Sequence, residues 1–330
     1  TLEQEIKDGH IYLADFKVLV GAKCYGGPIL EDEGYKVPDN LNNNEADIRY
    51  CAAPLALFYV SKVGHLMPIA IQINQEPGPE NPIWTPHEPN KHDWMLAKFW
   101  VGVAESNYHQ LNTHLLRTHL TCEPFALSTW RNLASAHPVF KLLYPHVYGI
   151  LAIDTIGRKE LIGTGGIVDK SLSLGGGGHV TFMGECFKEV NLQDYNFPNA
   201  LKKRGVDDPS KLPEYYYRDD GLALWEAIQA FVSEIIDIFY KNDEDVKRDN
   251  EIQSWIYDVH KNGWRAKPGH KDHGVPTGFE SREQLIEVLT SLIFTLSCQH
   301  AAVNFSQKDH FGFTPNAPAI LRKQPPKKKG

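Results

Sequence analysis

The stretch HQLNTHLLRTHLT carries His109, His114 and His119 at intervals of five and five, and CQHAAVNFSQ carries His300 and Asn304 four apart. Neutral imidazoles and an amide oxygen are metal donors, so the first question is which of these residues share one ion. On an α-helix, residues i and i+5 lie about 140° apart and do not converge. A π-bulge has a wider turn that brings i and i+5 to nearly one face, and such bulges concentrate at functional sites. The spacing therefore predicts a π-turn and admits either His109 with His114 or His114 with His119. His300 and Asn304 share a helical face among Ala301, Ala302, Val303 and Phe305. Taken alone, His300 reads as a core histidine bonded to a carbonyl, because an unpaired buried polar group costs about 1–3 kcal/mol. Taken together, three imidazoles and an amide oxygen make a thiolate-free set suited to iron, zinc, copper or nickel, and the lack of cysteine donors argues against a structural zinc.

The elements that must position these donors are mostly helices. From Asp93 the chain runs DWMLAKFWVGVAESNYHQLNTHLLRTHL without proline and with apolar residues at helical spacing, too apolar all round to lie on a surface. VFKLLYPHVYGILAIDTIGRKELI reads as one or two helices broken near Pro145, GHVTFMGECFKEV as a helix opened by the run Gly175 to Gly178, and DDGLALWEAIQAFVSEIIDIFYKND as strongly amphipathic. EIQSWIYDVHKNG follows, then SREQLIEVLTSLIFTLSCQHAAVNFSQKD with Ser281 as its N-cap. Before residue 90 only HIYLADFKVL and MPIAIQIN have strand character, between acidic, Asn-rich and Pro-rich segments. A mainly α domain with a small β edge, without repeats or a separating linker, is the economical expectation.

Composition narrows the function classes. The 330 residues are 42% hydrophobic, enough for a substantial core, and the net charge of −7 has no basic stripe, which argues against nucleic acid as a partner. The run KKKG, Lys327 to Gly330, reads as a solvated tail. Cys24, Cys51, Cys122, Cys186 and Cys298 are scattered without a C-x-x-C pair, which suits free thiols in a reducing compartment. TLEQEIKDGH lacks the features of a signal peptide and no eighteen consecutive residues are apolar, so the expectation is a soluble, cytoplasmic protein.

HLLRTHL and SCQHAAVNFSQ, with HPVFKLLYPHVYG, GGGGHV and YYYRDDGLALWEAI between them, resemble the animal lipoxygenases. The motifs stand in family order and span nearly the whole chain, from LEQEIKDG and PIAIQINQ to NAPAILR. The resemblance implies a large helical catalytic domain whose iron site lies between two long buried helices. It also implies a non-haem iron, one per chain, held by His114, His119, His300 and Asn304, with His109 a neighbour and not a ligand. The chemistry implied is hydrogen abstraction from a doubly allylic carbon of a polyunsaturated fatty acid, then addition of O2. The four iron ligands would be the catalytic residues, with Gln110, Leu115, Gly157, Leu161 and Ile167 at the substrate; Leu115 and Leu161 would clamp the pentadiene. The family has Gly at the position of Gly157 in R-specific members and Ala in S-specific ones, which implies R hydroperoxides. The wording of the chain is most similar to coral arachidonate R-lipoxygenases, first the 8R type that occurs fused to an allene oxide synthase, then the 11R type. A non-catalytic fatty-acid-binding homologue is the rival class.

Departures from the family pattern imply that residues 1–330 are an internal segment of the catalytic domain. The family's terminal Ile carboxylate, a further iron ligand, and its N-terminal β-barrel domain, expected to bind Ca2+ and give reversible peripheral membrane contact, are both absent from this chain. Other motifs carry less. The Gly175 to Gly178 run lacks the Lys-Ser/Thr of a P-loop. Asp219 or Asp220 is expected to cap the helix that follows, His270 and His273 to lie solvated in a loop, and Glu214 and the acidic Glu31 to Glu33 show no paired-carboxylate logic.

Overall fold

The computed structural model describes residues 1–26, 48–265 and 271–330, so Glu31 to Glu33 and His270 lie outside the described residues. Four strands, β1 (Ile11–Asp15), β2 (Leu55–Val60), β3 (Leu66–Gln72) and β4 (Ile83–Trp84), form one antiparallel sheet in sequence order. The two strands expected from sequence, β1 and β3, never pair; both pair with β2, whose LALFYV was not singled out. Trp84, Trp100, Ile71 and Ile73, each 1–2% exposed, seal the sheet against the first long helix.

The helices are α1 (Leu2–Asp8), α2 (Lys91–Tyr108), α3 (Glu123–Asn132), α4 (Pro138–Val147), α5 (Ile150–Gly157), α6 (Ile167–Ser171) and α7 (Gly178–Lys188). They continue with α8 (Phe197–Arg204), α9 (Tyr216–Phe239), α10 (Asp243–Arg248), α11 (Asn250–Asp258), α12 (Arg282–Phe294), α13 (His300–Asn304) and α14 (Gln307–Phe311). Three of the joints matter for function. α2 continues without a break into a π-helix over His109–Leu120, α5 into one over Arg158–Ile162, and α12 reaches α13 through a π-turn over Thr295–Gln299. The bond from the Thr121 amide back to the Leu116 carbonyl, 3.0 Å, closes an i to i−5 turn at the end of the first.

Capping explains most boundaries. Asn90 accepts from the His92 amide to start α2, and Ser281, the expected N-cap, accepts from the Gln284 amide to start α12. α4 is not broken at Pro145, which sits inside it; the break falls at Gly149, whose φ of 88° is left-handed. α9 begins at Tyr216 with Tyr215 at its N-cap, so neither Asp219 nor Asp220 caps it. Asp219, in the first turn, pairs instead with the buried Arg218 at 2.7 Å. The glycine run serves close approach: a Cβ at Gly178 would lie 1.9 Å from the Lys23 carbonyl oxygen, and one at Gly175 2.1 Å from that of Asp169.

α12 is buried over consecutive residues from Val288 to Phe294, packs on α9 and α4, and forms the centre of the core that also holds Trp255, Phe125 and Leu143. The continuous helix Arg282–Phe311 has the length and mean hydropathy, 1.4, of a membrane span, and so has Pro138–Ile162 at 1.2; half of the first one's apolar window is buried within this fold. All five cysteines are free, Cys122 and Cys186 buried. One expectation is corrected. His273 is not solvated: it is 1% exposed, with Nδ1 2.6 Å from the Val190 carbonyl oxygen. The basic tail is exposed, as expected, with Lys327 paired to Glu80 at 3.0 Å and Lys329 to Glu88 at 2.7 Å.

Candidate active site

The π-helix settles which histidines meet. His114 and His119 have ring centroids 5.1 Å apart, and the ring of His300, brought in by α13, lies 5.3 and 4.6 Å from them. One nitrogen of each ring falls within 4.8 Å of the others, and the Nε2 atoms of His119 and His300 are 2.9 Å apart. A first-row metal about 2.1 Å from each imidazole nitrogen places neighbouring nitrogens about 3 Å apart, so the spacing fits a shared ion. His109 lies outside the cluster although the π-helix includes it: its Nε2 bonds the Val303 carbonyl oxygen at 3.0 Å and its ring stands edge-on to Phe311. The carbonyl-bonded core histidine expected of His300 taken alone is thus His109.

Burial favours the neutral form of two of the three rings. Burial, and then the neighbouring His119, His300 and His109, lower the pKa of His114 to about 3, and burial with His119 lowers that of His300. Both rings are neutral at pH 7. His114 Nε2 is buried without a hydrogen-bond partner among the described residues, an orphan that a metal would satisfy.

Asn304 joins through a residue that sequence reasoning missed. Gln307, one turn beyond Asn304, accepts from Gln110 Nε2 at 2.9 Å, and its own amide nitrogen stands 3.1 Å from Asn304 Oδ1 and 3.2 Å from His114 Nδ1. Amide oxygen and nitrogen are near-isosteric, so inverting all three amides together keeps every contact. In that inverted chain His114 Nδ1–H donates to Gln307, and the His114 Nε2 lone pair and the Asn304 oxygen are free for a metal. A second missed residue is Asp154 on α5, whose Oδ1 lies 2.9 Å from His119 Nδ1. The signal for Gln307 was its i+3 spacing from Asn304; Asp154 had none beyond lying three residues before Gly157.

Beside the donors opens a cavity of about 700 Å³ with mostly apolar walls. Gln110, Leu115, Gly157, Leu161 and Ile167 all line it, together with His114, His119 and Asn304. Each expected substrate residue is therefore at one cavity, although they come from three separate helices. Gly157 needs no glycine backbone, with helical φ −58° and ψ −42°, and a Cβ there would meet only Leu161 Cδ1, at 3.9 Å. The part of the lining made by Val168, Ser171 and Leu172 is held by Arg49, which donates to the carbonyls of Asp169 and Leu172 at 2.9 and 2.7 Å and lies over the Tyr25 ring.

Residues 38–330 match the family model described as Lipoxygenase. The chain belongs to the lipoxygenase family. It is 85% identical over 330 residues to an allene oxide synthase-lipoxygenase protein of Plexaura homomalla, covering all of this chain and 31% of that protein. A crystal structure described as an anaerobic complex of a lipoxygenase with arachidonate superposes with a TM-score of 0.94 at 82% identity, over 100% of this chain and 47% of its own. The crystal structure of a coral 8R-lipoxygenase superposes with a TM-score of 0.92 at 80% identity, over 99% and 46%. The mainly helical fold with a small antiparallel sheet is thus that of the lipoxygenase catalytic domain, and this chain spans less than half the length of these relatives. The family is iron dependent, and the neutral nitrogen-and-oxygen donor set fits iron.

Proposed function

We propose that the protein containing this chain is a non-haem iron dioxygenase that converts arachidonate and similar polyunsaturated fatty acids to R-configured hydroperoxides, with the 8R product favoured and 11R the alternative. The observation that carries this reading is one apolar cavity lined by His114, His119 and Asn304 together with Gly157 and Leu161. His114, His119, His300 and Asn304 would hold the iron, with a further carboxylate from outside this chain. Bound iron supplies the redox step that takes a hydrogen from the doubly allylic carbon.

This chain's own residues do the rest. The cavity of about 700 Å³ buries an acyl chain, and its apolar wall keeps water from the carbon radical. Leu115, next to His114, and Leu161 hold the pentadiene against the metal, which fixes the carbon that reacts. Gly157 leaves space in the wall where O2 reaches one face of the radical. The Gln110–Gln307 pair positions Asn304 and His114. The identity to the coral 8R enzyme and to the coral fusion protein supports the 8R assignment and a fused allene oxide synthase partner.

The name of the coral 8R structure attributes calcium activation to a C2-like domain. By the same reading, Ca2+ and reversible membrane contact belong to an N-terminal domain of a cytoplasmic parent. The deciding experiment is chiral product analysis with arachidonate on the parent protein, alongside iron analysis and vesicle co-sedimentation with and without calcium. An 8R hydroperoxide with about one iron per chain is expected; fatty-acid binding with neither iron nor conjugated diene would overturn the enzyme reading.

A further inference from the structure

Asp154 is 4% exposed, and its Oδ2 is buried with no hydrogen-bond partner among the described residues. Its Oδ1 lies 2.9 Å from His119 Nδ1, and its backbone belongs to α5, which carries Gly157 one turn on and contacts the π-helix of the metal donors. As a structural element this is a poor arrangement. A buried carboxylate loses its hydration, and one hydrogen bond with one orphan oxygen does not restore it. An apolar side chain of similar volume would serve packing at least as well. The next charged residue along the helix, Arg158, spends its hydrogen bonds on Glu123; it acts on Asp154 only through its charge and leaves Oδ2 without a bonding partner among the described residues.

We infer that Asp154 is a positioning residue for the metal centre: it accepts from His119 Nδ1–H and so turns the Nε2 lone pair of that ring toward the ion. The inference rests on the reading of His114, His119, His300 and Asn304 as iron ligands. A neutral imidazole carries one proton, and which nitrogen bears it is set by what the other faces. With a carboxylate at Nδ1 the proton stays there and Nε2 remains a donor; the negative charge also makes the ring more basic toward a cation. Without it His119 is free to protonate Nε2, 2.9 Å from His300 Nε2, and to bond that ring instead of a metal. The carboxylate also ties the helix of Gly157 to the metal helix, so ligand and cavity wall keep one spacing.

The test is Asp154→Leu in the full-length parent, with Fe(II) affinity measured by competition against a chelator and thermal unfolding measured on the metal-free protein. The expected result is iron bound about 10 to 100 times more weakly, with metal-free unfolding at the wild-type temperature or above it. Wild-type iron affinity in the variant overturns the inference; so does a lowered metal-free unfolding temperature with unchanged affinity, which marks a purely structural carboxylate. If Asp154→Leu does not fold, Asp154→Asn replaces it, with a loss of about threefold or more expected and wild-type affinity again refuting. A wild-type parent that takes up no iron would instead refute the metal site itself, a different failure.

Discussion

Replacing Gly157 by Ala isolates one methyl group at the cavity wall. The backbone there is helical, and the added Cβ meets only Leu161 Cδ1 at 3.9 Å, ordinary contact, so the fold accepts it. Ala in place of Gly within a helix adds about 1 kcal/mol of stability. Glycine at this buried helical position is thus not required by the backbone and costs stability, and it lines the cavity. Under the proposed function a methyl at this position stands in the approach of O2 and crowds it by about 1–3 kcal/mol, the range for one extra methylene in packed space. At about 1.4 kcal/mol per factor of ten, the partition between the two faces of the radical shifts by roughly fivefold to more than a hundredfold. Chiral-phase chromatography of arachidonate products from the parent should show the R product falling and an S product at another carbon rising, with iron content unchanged. Unchanged hand and position in a folded, iron-loaded variant would refute the reasoning.

Leu115→Ala should lower kcat/KM for arachidonate by about 10 to 100-fold at unchanged iron content, because a loosened clamp misplaces the reacting carbon; steady-state kinetics with metal analysis check it. For the metal-free protein, the His114 pKa depressed to about 3 predicts acid sensitivity. The unfolded chain takes up a proton near pH 6.5 that the folded ring refuses until about 3, so stability is full above pH 6.5 and falls toward pH 3, by up to about 1.4 kcal/mol per pH unit for this group. Urea unfolding at several pH values gives the slope. Arg49→Met should cost about 2–4 kcal/mol by removing the charged donor from the Asp169 and Leu172 carbonyls, and should raise KM as the cavity wall loosens; denaturant unfolding with substrate titration tests both.

Much of this protein is legible in its residues alone. The five-residue spacing of His114 and His119 demands a π-turn if both are to serve one ion, and a π-helix over His109–Leu120 is what the chain forms. Helix starts at Ser281 and Gly177 follow from local chemistry, because a capping hydroxyl or a left-handed glycine acts within its own turn. Tertiary structure decided what depends on distant partners. The same spacing allowed His109 with His114; the Val303 carbonyl, nearly two hundred residues away in sequence, drew His109 out of the cluster. Strand β2 went unseen because its worth lies in pairing on both edges, and His273 in a Gly-Pro-rich loop became buried because Val190 offered an acceptor there. Asp154 and Gln307 carry no motif. Their roles arise only where α5 and α14 meet the metal helices, since a hydrogen bond to a ligand is a property of two chain segments brought together and not of either one alone.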